Sequence, residues 1–210
     1  MTGLYPIFLN LAGKKCLVAG GGAVAARKVE SLAAAGAAVT VVAPMLCPAA
    51  RALVDKGSAR WIEGPFTPQA MDGATLVIAA TNVDVVNREV SRMAAERGIP
   101  VNVVDQPELC SFFVPSVARR GGLVIAISTS GKSPAVAKRL RKKFEKDFGP
   151  EWAVYLEMMG RARERAMAAS GGQKRREEML NRLADSDLFD LVKNGDMETA
   201  QKRIEEMVKG

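Results

Sequence analysis

The sequence predicts an α/β protein: a doubly wound parallel sheet, then a β-hairpin and helix, then a small C-terminal helical region. Two observations carry the first part. Short apolar, β-branched runs alternate with helical stretches through the first hundred residues, and three consecutive glycines join the first run to the first helix. A third carries the rest: past residue 110 two adjacent runs replace the alternation, and long charged helical stretches follow.

Taken in order, KCLVA (Lys15 to Ala19) has the length and polarity of a strand, and Gly20-Gly21-Gly22 leads from it into AVAARKVESLAAAG, a helical pattern ending at Gly36. AAVTVVAP resumes as a β-branched run stopped by Pro44. Strand, turn, helix and strand make a βαβ unit with a right-handed crossover. ARALVDKG reads as a helix with a glycine stop, ARWIEG as a short strand and ATLVIAAT as a buried strand. VDVVNREVSRMAAERG is an amphipathic helix closed by Gly98, and PVNVVD is a strand ending in an acid. Open sheets of this kind bind ligands at the carboxyl ends of their strands, where the glycine loop, Thr81-Asn82 and Asp105 all fall.

SFFVPSVARRGGLVIAISTSG then reads as two strands around Gly121-Gly122, a hairpin with no helix between them. Ser133-Pro134 opens a helix with a capping serine and proline at its first position. Its apolar stripe is Val136, Leu140, Phe144 and Phe148, with Lys138, Arg139, Arg141, Lys142, Lys143 and Lys146 on the other faces, and FGP ends it. From Glu151 the chain is helical and charged, punctuated by Ser170-Gly171-Gly172 and Asn194-Gly195, which predicts three or so helices.

Composition narrows the chemistry. The 210 residues are 48% hydrophobic, enough for a sizeable core, and 30 Lys and Arg against 23 Asp and Glu give a formal charge of +7. That balance favours an anionic partner; a solubilising surface is the bland alternative. Three cysteines, Cys16, Cys47 and Cys110, are too sparse for a disulfide framework or a Cys-x-x-Cys metal site. The sequence contains no histidine, which removes a Ser-His relay, a histidine-ligated metal and a histidine acid-base at once. Proton chemistry near neutral pH falls to carboxylates, Cys, Lys or Tyr. The first fifteen residues lack a basic leader and a cleavage site, and no run approaches a membrane span, so a cytoplasmic protein is expected, neither exported nor embedded.

Gly20, Gly22 and Ala25 fit the G-x-G-x-x-G/A dinucleotide fingerprint in its strand-to-helix context, which makes the sheet Rossmann-like. The second strand, however, ends Ala43-Pro44-Met45 where an acid for the ribose hydroxyls is expected. No arginine for a 2′-phosphate adjoins it, so spacing alone leaves NAD and NADP open. Asp105 suits a proton acceptor or a metal-approaching carboxylate, against the plainer reading of an aspartate capping the turn DQPE; Glu108 is a weaker competitor. Ser128-Thr129-Ser130-Gly131-Lys132-Ser133 gathers hydroxyls and backbone donors at a helix start. Its Ser128, Thr129, Ser130 and Lys132, with Arg119 and Arg120 of the hairpin, are the candidate binders of an anionic substrate. The spacing is not that of a Walker loop. Cys110 reads as a lone buried thiol rather than a soft metal ligand, and no metal site is assigned.

Five segments, PIFLNLAGKKCLVAGGGAVAARK, IEGPF, VIAATNVDVVNREV, NVVDQPELCSFFVPSV and STSGKSPAVAKRLRKKFE, occur in one order. In that order they resemble the precorrin-2 dehydrogenase/sirohydrochlorin ferrochelatase family, the dehydrogenase-chelatase module of sirohaem synthase. The resemblance covers residues 4 to 150 closely and the tail more loosely, and it implies the stand-alone form of the module.

The resemblance implies NAD-dependent oxidation of precorrin-2 to sirohydrochlorin, with ferrous iron as the further substrate of members that also make sirohaem. It implies NAD contacts at Gly20, Gly21, Gly22, Ala23, Val24, Pro44, Met45, Thr81 and Asn82, and a key aspartate at Asp105. The absent ribose acid is then a trait of the family. The acidic tetrapyrrole substrate gives the positive charge a purpose. The implied organisation is an NAD-binding domain over 1–112, a dimerisation region over 113–150 that crosses to a second copy, and a helical domain over 151–210. A dehydrogenase working beside a separate chelatase is one alternative, and an NAD-sensing regulatory module is another. Specific nucleic-acid binding is disfavoured by the 5% aromatic content and the lack of a reading or stacking motif.

Overall fold

A computed structural model describes residues 3–168 and 172–209; the predicted break at Ser170-Gly171 lies outside them. The chain divides into two compact units, Met1–Val114 and Pro115–Gly210.

The first unit is built on five parallel strands: β1 (Lys15–Ala19), β2 (Ala38–Ala43), β3 (Ala59–Glu63), β4 (Leu76–Ala79) and β5 (Val101–Val103), in the order β3-β2-β1-β4-β5. Helices α1 (Ala23–Ala34), α2 (Pro48–Asp55) and α3 (Asp84–Glu96) complete the crossovers. The inner strands are buried on both faces, which is why they read as continuous apolar runs rather than alternating ones. Along β1, Cys16 and Val18 enter the core shared with Ala25, Val29 and Leu32 of α1, while Leu17 and Ala19 enter the core shared with Val90 and Ala94 of α3. Each fully buried Leu or Val contributes about 1.5–3 kcal/mol relative to exposure. Strand order reverses between β1 and β4, and a crevice opens there at the carboxyl ends.

The strand expected over PVNVVD is shorter. It ends at Val103, because Asp105 takes the left-handed conformation (φ 60°) and the chain folds back, with the Ser111 N–H donating to Val101 O at 2.9 Å.

In the second unit, β6 (Ser116–Arg120) and β7 (Leu123–Ile127) form the expected antiparallel hairpin, with Gly121 at φ 54° in the turn. Helix α4 (Pro134–Asp147) starts at Ser133, whose Oγ accepts the Val136 N–H at 3.3 Å. Val136 and Leu140 of its apolar stripe are exposed. The tail holds four helices rather than about three: α5 (Glu151–Ala168), α6 (Gln173–Ala184), α7 (Leu188–Lys193) and α8 (Met197–Lys209). They share one core around Tyr155, Ala162, Leu183, Leu188 and Ile204. Asn194-Gly195 separates α7 from α8 with Gly195 at φ 81°, but the further break at Ser186-Asp187 carries no glycine or proline to announce it. Among the described residues no helix is long and apolar enough to cross a membrane.

Candidate active site

The crevice at the carboxyl ends of the strands has a volume of about 1060 Å³, just above the roughly 300–1,000 Å³ usual for small-molecule sites. All nine candidate cofactor residues, Gly20 to Val24, Pro44, Met45, Thr81 and Asn82, line it, and so does Asp105. Among the described residues its only charged lining residues are Asp84 and Asp105.

The three glycines have different reasons to be glycine. A Cβ on Gly20, which sits at φ 124°, would lie 2.3 Å from Ala80 O, and one on Gly21 would lie 1.9 Å from Met45 O. Those two positions are closed by the protein itself: the Gly20 N–H donates to Val42 O at 2.9 Å, and Gly21 O accepts the Cys47 N–H at 2.8 Å. Gly22 is the opposite case. Its backbone (φ −82°, ψ −178°) suits any residue, and a Cβ there would meet nothing within 4 Å. Open space beside a cleft-lining backbone is what the second glycine of the fingerprint leaves for a pyrophosphate.

Gly22 also caps α1 without a side-chain hydrogen bond, and the first turn holds no acid. The leading amides of α1 are thus left for an anion, with the positive end of the helix dipole behind them. Ala25, the third fingerprint position, is wholly buried, which brings helix and strand close enough to aim those amides. The donor set and the open space fit a dinucleotide.

Across the cleft, the Thr81-Asn82 loop is held by a residue that sequence reasoning missed. Asn87 of α3 is buried; its Oδ1 accepts the Thr81 hydroxyl at 2.8 Å and its Nδ2 donates to Thr81 O at 3.1 Å. The signal was present, since Asn87 occupies the buried stripe that continues through Val90 and Ala94, where an apolar residue is expected. At the ribose side, Trp61 of β3 donates its indole N–H to Ala43 O at 3.0 Å, and the Arg51 guanidinium stacks 4.2 Å from the Trp61 ring centre. Met45 is exposed beside that end.

Asp105 is exposed, and its carboxylate takes part in no hydrogen bond or ion pair among the described residues. Its backbone, by contrast, is tied. The Cys110 Sγ accepts the Val103 N–H at 3.2 Å, and its S–H faces the carbonyls of Val103 and Gln106, each at 3.3 Å. Cys110 therefore brackets Asp105, and burial pushes the thiol's pKa up, so it stays protonated as a donor. Gln106 donates to Asp84 Oδ1 at 2.8 Å, and the Arg88 bond to Asp84 holds that carboxyl below its usual pKa. Lys28 of α1 is half-buried nearby. Burial first and Arg27 second lower its pKa, while Asp105 and Cys110 act in the opposite direction.

The six candidate substrate residues belong to the second unit and do not line this cleft. Ser128 Oγ accepts the Ser130 N–H at 3.1 Å, and Thr129 Oγ1 exchanges hydrogen bonds with Ser133 N and O, both at 3.1 Å. Arg120 donates to Arg119 O and to Glu145 O, tying the hairpin to α4. The side chains of Arg119 and Lys132 are exposed. Among the described residues no group of three or more Asp, Glu, Cys or His could hold a metal ion.

Comparison with known proteins agrees with this geometry. A family model described as NAD(P)-binding matches residues 7–116, and one for the central part of sirohaem biosynthesis proteins matches residues 120–146. A sirohaem synthase of Methylobacillus flagellatus is 51% identical over 140 residues, which is 67% of this chain and 30% of that one. One of Photorhabdus laumondii is 37% identical over 203 residues, 97% of this chain and 43% of that one. The chain spans less than half the length of these curated relatives. Among solved structures, that of SirC, a precorrin-2 dehydrogenase, superposes with a TM-score of 0.79 at 24% identity over 98% of this chain and 99% of that one, a likeness of fold. With its cofactor crevice inside the first match, the chain belongs to the NAD(P)-binding family that this model describes, and its hairpin and helix run into the second match.

Proposed function

We propose that this chain oxidises precorrin-2 to sirohydrochlorin with NAD, in the cytoplasm and as a homodimer. One observation carries the reading: an open glycine over the bare amino end of α1 and an unpaired carboxylate, Asp105, line the same crevice. The sirohaem synthase relatives supply the substrate class. NAD is favoured over NADP because the lining holds no cation for a 2′-phosphate among the described residues, and Arg51, the arginine beside that end, is stacked on Trp61. The exposed Val136 and Leu140 of α4 favour a second copy packing there. Three unpaired thiols suit a reducing compartment.

When bound, NAD supplies the hydride acceptor for the two-electron oxidation. The first-turn amides of α1 hold the pyrophosphate, and the Thr81-Asn82 loop, clamped by Asn87, fixes the opposite wall of the crevice. As the substrate ring carbon gives up its hydride, Asp105 takes the accompanying proton, so that the substrate loses two hydrogens in all. With no histidine in the chain, a carboxylate is the natural base. The same base serves a second activity, insertion of ferrous iron, in which two pyrrole protons must leave; an exposed carboxylate without a partner favours it.

The test is anaerobic: purified chain, precorrin-2 and NAD, followed by sirohydrochlorin absorbance, then ferrous ion. The expected result is NAD-dependent oxidation, lowered about 100-fold or more in Asp105→Asn without loss of NAD binding. No NAD-dependent oxidation would refute the reading. Metal insertion no faster than in a protein-free control would remove the second activity alone.

A further inference from the structure

Among the described residues the crevice is lined by three amide side chains, those of Asn82, Asn87 and Gln106. Asn82 is exposed, and both ends of the buried Asn87 amide are engaged by Thr81. Gln106 differs from both. Its N–H donates to Val103 O at 3.4 Å, its carbonyl accepts the Leu109 N–H at 3.1 Å and the Cys110 S–H at 3.3 Å, and its Nε2 donates to Asp84 Oδ1 at 2.8 Å. The remaining polar group, Oε1, is shut off from water and accepts no hydrogen bond from any described residue. Gln106 stands directly before the single turn Pro107–Leu109, yet its side chain does not cap that turn. An empty buried acceptor costs stability, and folding alone gives no reason to keep it.

The bonds behind the amide decide which of its ends is left over. Asp84 Oδ2 accepts the Arg88 Nε–H at 2.7 Å, and that bond holds the Asp84 carboxyl below its usual pKa, so it stays an acceptor through the neutral range. Facing an acceptor, the Gln106 amide presents its NH2 and keeps its oxygen on the other side. The empty position therefore calls for a donor. With the pyrophosphate over the glycine loop at β1 and the adenosine end beside Pro44-Met45 after β2, the other half of a dinucleotide runs toward the ends of β4 and β5, where Gln106 lies. A nicotinamide ring carries one hydrogen-bond donor, its carboxamide NH2.

We propose that Gln106 reads the nicotinamide carboxamide, its Oε1 accepting the amide N–H of the bound cofactor and so fixing which way round the ring lies. This rests on NAD occupying the crevice. Rotation about Cγ–Cδ has a broad minimum, so a tilt of the amide brings Oε1 to the ligand with Nε2 still on Asp84. Gln106 directly follows Asp105, so one loop, tied by Cys110, then sets both the orientation of the ring and the position of the carboxylate.

The probe is the acetylpyridine analogue of NAD, in which a methyl group replaces the carboxamide NH2. Calorimetric titrations of the full chain, without substrate, give dissociation constants for NAD and for the analogue in the wild type, Gln106→Met and Gln106→Glu, each with its thermal midpoint. The wild type should bind NAD about tenfold more tightly than the analogue, which leaves the acceptor empty. Gln106→Met keeps the length of the side chain without the acceptor, so NAD affinity should fall about tenfold and the preference to about twofold or less. Gln106→Glu loses the donor to Asp84 but keeps an acceptor, so both ligands weaken while the preference stays near about tenfold. A preference unmoved in both variants overturns the proposal, since Gln106 is then only a strut to Asp84. So does a preference lost in both, which assigns the reading to a group that the strut positions. Equal binding of NAD and analogue by the wild type overturns it without any variant having to fold, and leaves the cofactor reading of the crevice intact. Binding of neither by the wild type fails that reading and this one with it.

Discussion

Replacing each glycine of the loop by alanine, one at a time, separates what the protein needs from what its ligand needs. At Gly22 a methyl meets nothing within 4 Å and the backbone is already in a region alanine favours. Reduced freedom of the unfolded chain stabilises such a variant by about 0.4–1 kcal/mol. Alanine is a poorer helix N-cap than glycine by a similar amount, so the net change is within about 0.5 kcal/mol. The methyl does, however, fill the space left for a pyrophosphate. Disturbing one or two hydrogen bonds to a charged group costs about 2 kcal/mol, or roughly 30-fold in affinity. Gly21→Ala behaves oppositely, because its methyl would fall 1.9 Å from Met45 O, and backbone has to move. Gly20→Ala adds a φ of 124° to a 2.3 Å approach to Ala80 O. Both should lose about 3 kcal/mol or more, on the high side of overpacking costs. Thermal melts and calorimetric NAD titrations give the two axes. A Gly22→Ala protein with unchanged melting and unchanged NAD affinity would refute the idea that a phosphate approaches this backbone.

Three further outcomes are expected. Asn87→Leu strands the Thr81 carbonyl and leaves the Thr81 hydroxyl to Val83 alone, so urea unfolding should show a loss of about 1–3 kcal/mol, with weaker NAD binding. Cys110→Ala removes the bonds that bracket Asp105; hydrogen exchange should quicken at Val103, with about 1 kcal/mol lost and NAD affinity kept. Stability against pH should carry two opposite signatures. The buried Cys16 has its pKa raised by desolvation, so its contribution is full below the usual thiol value of about 8.5 and is lost as pH rises past it, a loss that Cys16→Ala removes. Lys28 has its pKa lowered, so the unfolded chain binds the extra proton and stability rises with pH from the lowered value toward the usual lysine range, a rise that Lys28→Met removes.

The elements most legible in advance are those whose signal is local. A period of two or 3.6, a glycine where a strand must turn into a helix, and Gly121-Gly122 between two β-branched runs each announce themselves within a dozen residues. Asp105 was legible as a strand-end acid for the same reason. The end of β5 was not, because it depends on a thiol that returns from residue 110 to bond Val103. Nor was the use of Ser128 and Thr129 within their own loop, since a hydroxyl free to bind a ligand and one bonded locally look alike in sequence.

By itself the sequence determined the alternation that makes a doubly wound sheet, the fingerprint at its first turn, and the absence of any histidine to do the proton chemistry. Only the tertiary structure decided which of three adjacent glycines faces open space, that Asn87 joins the Val83 backbone in clamping Thr81, and that Lys28 is half-buried while Arg27 is exposed. Periodicity states which face of an element is apolar. What stands opposite that face is set by strand order and packing between residues far apart in the chain, and those are properties of the folded molecule alone.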